Sequence, residues 1–174
     1  MSDKILFETK RLNMIVAAPH HAQFVSDFYN TPEIKKEYFT YGWDTPTDAL
    51  NKLINFHGLP HYQEHGFCIC IIQEKSSKKY IGINGMAKRE FLDGPTLGYG
   101  LLPEYWGRGY IHETCLGLVD LCKKVGYKKM YASLDSKNDR SRNVVMKLGM
   151  ELKNDKFPWG RDDDVRCLYG MDVA

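Results

Sequence analysis

Two glycines bracket an arginine in Trp106-Gly107-Arg108-Gly109-Tyr110, and this spacing suits an anion. Glycine reaches backbone dihedrals closed to other residues and lets a ligand approach the main chain closely. The apolar pattern from Ile111 to Val125 reads as a helix, so the loop feeds a helix N-terminus. Unpaired N–H groups and the helix dipole both favour negative charge there. Arg108 adds a fixed positive charge, and the implied guest is a phosphate or pyrophosphate. Two common phosphate motifs fail on residues. A P-loop needs Lys and Ser/Thr after its last glycine, where Tyr110 and Ile111 stand; a dinucleotide fingerprint needs a third glycine where His112 stands.

A second group of polar residues follows the next strand. Asn138 and Ser141 lie three apart at a strand-to-helix junction, a spacing that fits either a ligand contact or a helix cap. Asp135 just precedes them. Glu113 falls in the first turn of the long helix, where an acid complements the dipole. His57, His61 and His65 are spaced by four, but Gly58 and Pro60 interrupt the helix that would align them, and no carboxylate or cysteine completes a set. No metal site is expected. Cys68 and Cys70 share a strand face and Cys115 and Cys122 a helix face, which suits small core residues.

The elements that must position these residues follow from periodicity. Ile5 to Ala17 alternates as a strand, with a bend at Thr9-Lys10-Arg11. His20 to Tyr29 has helical spacing and ends before Thr31-Pro32. Thr45-Pro46-Thr47-Asp48 is a helix entry, giving a second helix over roughly 46–57 that resumes after Pro60. Strands are expected over 67–74, 80–91 and 96–102, with Gly82 and Gly85 marking close backbone packing. A helix over 110–125 closes at Gly126, then come a strand at 128–134, a helix at 139–148 and strands at 150–157 and 164–173. Hairpins followed by a strand–helix–strand crossover imply an α/β three-layer architecture in one domain, 1–174.

Composition agrees. Of 174 residues 43% are hydrophobic, enough for a sizeable core. Lys+Arg 24 against Asp+Glu 22 lacks the concentrated basic surface of a nucleic-acid binder. The five cysteines are an odd number without framework spacing, the start carries no apolar signal region, and no run approaches a membrane span. The expectation is a cytoplasmic protein with neither nucleic-acid nor membrane partners, monomeric or a homodimer.

Three blocks carry a resemblance. Gly98-Tyr99 with Leu101, then Pro103-Glu104-x-Trp106-Gly107-Arg108-Gly109-Tyr110 and Glu113, resembles the acetyl-CoA loop of the GCN5-related N-acetyltransferases. The block Asn138-x-x-Ser141-x-x-Val144-x-x-Lys147-Leu148-Gly149-Met150 and the block Glu8-Thr9-Lys10-Arg11-Leu12 agree, and the RimJ/RimL-like ribosomal-protein branch is the nearest match. The resemblance implies a mixed sheet of six to seven strands, helices on both faces, and a strand at 97–102 splayed from 128–134. It further implies acetyl-CoA as co-substrate and direct attack by a primary amine, either a protein N-terminus or a small amine.

By the same resemblance, pantetheine pairs with the backbone at Leu101 and Leu102, and a free N–H there faces the thioester oxygen. The loop Trp106, Gly107, Arg108, Gly109, Tyr110 and Ile111 holds the pyrophosphate. Asn138 contacts the pantetheine arm, and Ser141 lies near the sulfur as a proton donor. Many relatives place a tyrosine four residues after that serine; Val145 stands here, which leaves the acid open. Asp135, Glu113 or ordered water could take the amine proton. The acceptor site is expected on the side of the early helices, with Tyr38, Phe39, Tyr41, Trp43 and Trp159 as an aromatic wall. Asp162-Asp163-Asp164 could attract a cationic acceptor. The rival is a non-catalytic module that binds acetyl-CoA as a signal.

Overall fold

A computed structural model describes residues 2–37, 45–159 and 165–173. Within them the chain runs β1 (Ile5–Glu8), β2 (Leu12–Val16), α1 (Ala22–Asn30) and α2 (Pro32–Glu37). Next come α3 (Pro46–Ala49), a π-turn (Leu50–Ile54), α4 (Asn55–His57) and α5 (Leu59–His65). Three strands follow, β3 (Ile69–Glu74), β4 (Tyr80–Ala87) and β5 (Thr96–Leu101). The remainder is α6 (Tyr110–Lys124), β6 (Lys129–Leu134), α7 (Asp139–Lys147), β7 (Glu151–Pro158) and β8 (Val165–Asp172).

The strands form one eight-stranded sheet in the order β1-β2-β3-β4-β5-β6-β8-β7. All neighbours are antiparallel except β5 and β6, which α6 connects as a parallel crossover. The expected six to seven strands become eight because the Thr9-Lys10-Arg11 bend splits the first segment into two paired strands. β4 stops at Ala87 rather than Phe91. The run 46–57 is helical but not α throughout, since Leu50–Ile54 adds a residue to the turn. Thr45 caps its start: its hydroxyl accepts from Asp48 N–H while the Asp48 carboxylate accepts from Thr45 N–H.

Strand alternation divides the core between two faces. Ile15, Ile69, Ile71 and Ile83 pack with Val25 and Phe28 of α1, Ala49, and Leu53 and Ile54 of the π-turn. On the other face Met14, Val16, Cys68, Cys70 and Ile72 pack with Tyr110 at the start of α6. Cys115, Leu118 and Cys122 of α6 join Met86, Met130 and Val145 of α7. Gly85 permits the closest strand approach: a Cβ there would lie 2.1 Å from the Cys68 carbonyl oxygen. All five cysteines are buried free thiols. No helix among the described residues is long and apolar enough to cross a membrane.

Candidate active site

The sheet opens where the expected splay lies. β5 pairs with β6 only at Thr96↔Tyr131 and Leu97↔Ala132. On its other edge β5 stays paired with β4 along its length, from Thr96↔Ala87 to Leu101↔Gly82. Leu102 N–H donates to the Ile81 carbonyl at 2.9 Å, and antiparallel alternation then turns Tyr99 and Leu101 N–H toward the gap. Leu102 N–H, committed to Ile81, cannot supply the expected donor, and the Leu102 carbonyl accepts from Tyr105 N–H at 3.0 Å. Of the two expected amides, Leu101's is the one so oriented. Its carbonyl is committed, accepting the Trp106 indole N–H at 2.7 Å.

One cavity of about 300 Å³ lies beyond this edge, lined by Leu101, Trp106, Ser141 and the loop from Gly107 to His112. Gly107 and Gly109 take φ of 72° and 74°, as the loop requires. Gly109 is the N-cap of α6 and no side chain caps the helix, which leaves its first-turn amides to a ligand. His112 lines the same cavity, and its buried Nδ1 has no hydrogen-bond partner. The Arg140 guanidinium lies 3.7 Å from the centre of the Trp106 ring, adding charge to the wall. Arg108 is turned back, donating to the Glu104 carbonyl at 2.8 Å beside the Tyr105 ring. An extended anion fits this cradle through backbone amides, with Arg108 at its rim.

The second cavity, about 320 Å³, lies on the side of the early helices. It shares Tyr99 and Ser141 with the first, so the two meet at the splay. Burial pushes the Tyr99 phenol well above its usual range, and its hydroxyl donates to the Ser141 carbonyl at 3.1 Å. Asn138 caps α7: its Oδ1 accepts from Ser141 N–H at 3.0 Å, so its amide nitrogen is the group that remains for a ligand. Asp135 turns the chain into that cap, its Oδ1 accepting from Lys137 N–H and its carbonyl from Asn138 N–H. Asp135 is also the sole carboxylate among the described residues lining this cavity. Trp159 lines it too, with Phe91 meeting its ring edge-on and Phe157 at a tilt. Tyr38, Phe39, Tyr41, Trp43 and Asp162 to Asp164 lie outside the described residues.

Glu113 is placed away from this meeting point. Its carboxylate accepts from Thr9 Oγ1 at 2.5 Å, Arg11 N–H at 2.9 Å and Arg11 Nε at 2.6 Å. Burial pushes its pKa up, but these hydrogen bonds and the Arg11 charge outweigh it and hold the carboxyl below its ordinary range. It is a clamp between the β1–β2 bend and α6, which explains the chemistry of the Glu8–Leu12 block.

His57, Arg89 and Arg166 line the second cavity, and no spacing in the sequence assembles them. Burial, with the Arg89 charge and His61 added, pushes His57 down to about 4, so it is neutral at ordinary pH. The break at Gly58 does not separate the three histidines as expected. Their rings stay 5.7 and 4.5 Å apart, but His61 uses both nitrogens, at the Phe67 carbonyl and Lys88 N–H. Asp3, His20 and His21 gather possible metal-ligand atoms elsewhere. There His21 Nδ1 accepts from Ala18 N–H, so its Nε2 carries the proton and donates to Asp3 rather than to a metal.

A mixed sheet with helices on both faces and a split parallel pair, fed by an uncapped glycine loop, defines a GNAT-type fold. Residues 11–151 match the family described as acetyltransferase (GNAT) domain, and the chain belongs to that family. Among its relatives is an uncharacterized N-acetyltransferase, YoaA of Bacillus subtilis (strain 168), 22% identical over 148 residues, covering 84% of this chain and 82% of the relative. An acetyltransferase of Agrobacterium tumefaciens str. C58 superposes with a TM-score of 0.76 at 20% identity, over 98% of this chain and 94% of that one. A putative acetyltransferase yncA of Salmonella typhimurium, solved with its cofactor acetyl-CoA, gives 0.70 at 16% identity over 95% of each chain.

Proposed function

We propose that this protein moves an acetyl group from acetyl-CoA to a primary amine by direct attack in a ternary complex. The observation that carries the reading is the β5–β6 ladder ending at Leu97, which leaves a gap joining an anion cradle to a second cavity through Tyr99 and Ser141. Acetyl-CoA bound in the related yncA structure supports the same donor here. Amides of Gly107 to Ile111 hold the pyrophosphate, with Trp106 and Arg108 at the rim, and pantetheine lies along Leu101 in the gap beside the Asn138 amide.

The amine nitrogen attacks the thioester carbonyl while Leu101 N–H, turned into the gap, stabilises the developing oxyanion. The C–N bond forms and the C–S bond breaks. Asp135 first draws one proton from the ammonium through ordered water. As the C–S bond breaks, Ser141 delivers its hydroxyl proton to the departing thiolate and is reprotonated by the second proton that the amine nitrogen loses. Holding donor and acceptor in register across the gap supplies most of the acceleration, since a thioester is already activated. Trp159 stands in the acceptor wall. The three motif blocks favour the RimJ/RimL-like branch, whose acceptors include protein N-termini, and a small amine is the other acceptor class.

A thermal-shift titration with acetyl-CoA, CoA and ATP on the wild type and on Gly109→Trp tests the donor site. Stabilisation by acetyl-CoA and CoA but not ATP, lost in the variant, is the expected result. Equal stabilisation by ATP, or none by acetyl-CoA, overturns the reading. Release of free CoA thiol on adding an amine then tests transfer itself.

A further inference from the structure

We propose that the acceptor carries an anionic group, a carboxylate or a phosphate, seated against Arg89 and Arg166 in the second cavity. This names the substrate class of the transfer reaction and rests on that reading for the identity of the cavity.

Arg89 follows the end of β4 and lines the cavity within which Tyr99 and Ser141 mark the transfer point. Its Nε is buried and has no hydrogen-bond partner. A buried polar group without a partner is expensive, and a charged one more so. The neighbours increase that expense. Arg166 lies close enough to oppose the Arg89 charge, and both guanidiniums flank the Trp159 ring, at 5.4 and 5.8 Å from its centre. His57, on the same wall, also has a buried Nδ1 without a partner. Being neutral, it can donate to an anion through Nδ1–H in one tautomer without adding charge.

Two guanidiniums and an imidazole around a flat aromatic ring make a recess for a planar or tetrahedral oxyanion. Bidentate hydrogen bonds to an arginine fork would satisfy Arg89 Nε, and the anion's charge would relieve the repulsion between the two guanidiniums. The edge-on contact of Phe91 and the tilted contact of Phe157 with Trp159 hold the floor of this recess. An acceptor with its amine at Ser141 and its anion at Arg89 is held at both ends. That orientation is what a ternary-complex transfer needs.

The test uses matched amines that differ in one group: β-alanine against n-propylamine, phosphoethanolamine against ethanolamine, and putrescine as the dication. Initial rates of CoA-thiol release are measured with saturating acetyl-CoA. Calorimetric binding of the same amines to the CoA-saturated protein is measured separately, where no transfer can occur. At least one anionic member should exceed its neutral match by roughly ten- to hundredfold in kcat/KM or affinity, the size of one charge-assisted bond. The two pairs separate carboxylate from phosphate. Arg89→Gln and, independently, Arg166→Gln should bring that ratio toward one while leaving acetyl-CoA binding intact.

Equal treatment of both members, preference for putrescine, or a ratio unchanged in both variants overturns the proposal. A putrescine preference would point instead to Asp162–Asp164 as the acceptor's partners. Selective anion binding without thiol release in any arm would retain the anion site and sink the transferase reading, so the two fail separately.

Discussion

Replacing Glu113 by glutamine distinguishes a structural clamp from a catalytic base. The carboxylate holds three donors, two of them from Arg11, and in E113Q the new amide NH2 would be set against the Arg11 Nε–H or the Thr9 hydroxyl. A hydrogen bond to a charged group contributes about 1.5–3 kcal/mol when buried. Here the Arg11 side chain is 41% exposed and that of Glu113 20%, so solvent screens the pair. About 1–2 kcal/mol is the loss to expect after that discount. For a chain of this size that is a Tm drop of about 3–6 °C.

The clamp also reaches the loop, because Arg11 Nη1 donates to the Arg108 carbonyl at 2.9 Å. Slack at Arg11 should weaken acetyl-CoA binding roughly three- to tenfold, about 0.6–1.4 kcal/mol. Thermal unfolding, calorimetric acetyl-CoA titration and a pH–rate profile read these effects. The sign with pH is fixed. The folded carboxyl lies below its ordinary 4.5, so the clamp stabilises fully above that value and its contribution disappears as pH falls through the folded-state constant. The Tm gap between wild type and E113Q should therefore close in acid. If E113Q kept its Tm and acetyl-CoA affinity but lost one limb of the pH–rate profile, Glu113 would be the base and this reasoning would be wrong.

Ser141→Ala should lower kcat by roughly a hundred- to ten-thousandfold, the usual scale of a single proton-transfer group, and Asp135→Asn should remove the acid limb of kcat/KM against pH. An Asp135→Asn profile matching the wild type removes that residue from the mechanism. His57, depressed from 6.5 to about 4, binds its proton more readily in the unfolded chain, so folding stability should fall as pH drops across that window. His57→Gln should flatten this part of the stability curve, by about 2–3 kcal/mol between its ends; an unchanged slope refutes the burial argument. The buried thiols, with burial pushing Cys115 up to about 12 and Cys122 to about 11, should resist iodoacetamide in the native protein and react after unfolding. Rapid native alkylation counted by mass spectrometry would contradict that burial.

The parts of this site that the sequence made legible obey local rules. Gly107 and Gly109 flank an arginine and precede a helical pattern, and their left-handed dihedrals follow from residue type alone. The bend at Thr9-Lys10-Arg11 was equally visible, though its reason was not: Glu113 meets it from far along the chain. The acceptor recess was hidden for the same cause. Arg89 leaves the end of β4, His57 the end of α4 and Arg166 the start of β8, and only tertiary packing unites them. Asn138 shows another limit. Its spacing to Ser141 allowed ligand contact or cap, and the Oδ1 geometry commits that oxygen to the cap. At Leu102 the difficulty was parity, since alternation along β5 decides which amide turns to the gap and one residue reverses the answer.

The π-turn at Leu50–Ile54 makes the wall of the second cavity a matter of helical phase. Lys52, Leu53 and His57 reach that wall from a run whose wide turn takes up one surplus residue. An α-helix advances about 100° per residue. The wide turn absorbs its surplus residue, so deleting one residue within it would restore α geometry and keep Asn55–His57 in phase with Pro46–Ala49, where Ala49 is anchored in the core. Gly107, Gly109 and the β5–β6 gap belong to other elements and would keep their places. A lineage of this protein can therefore change the acceptor-facing side chains of this one turn by a single codon gained or lost, with His57 held where it stands. The seat of the acetyl donor would be inherited unchanged.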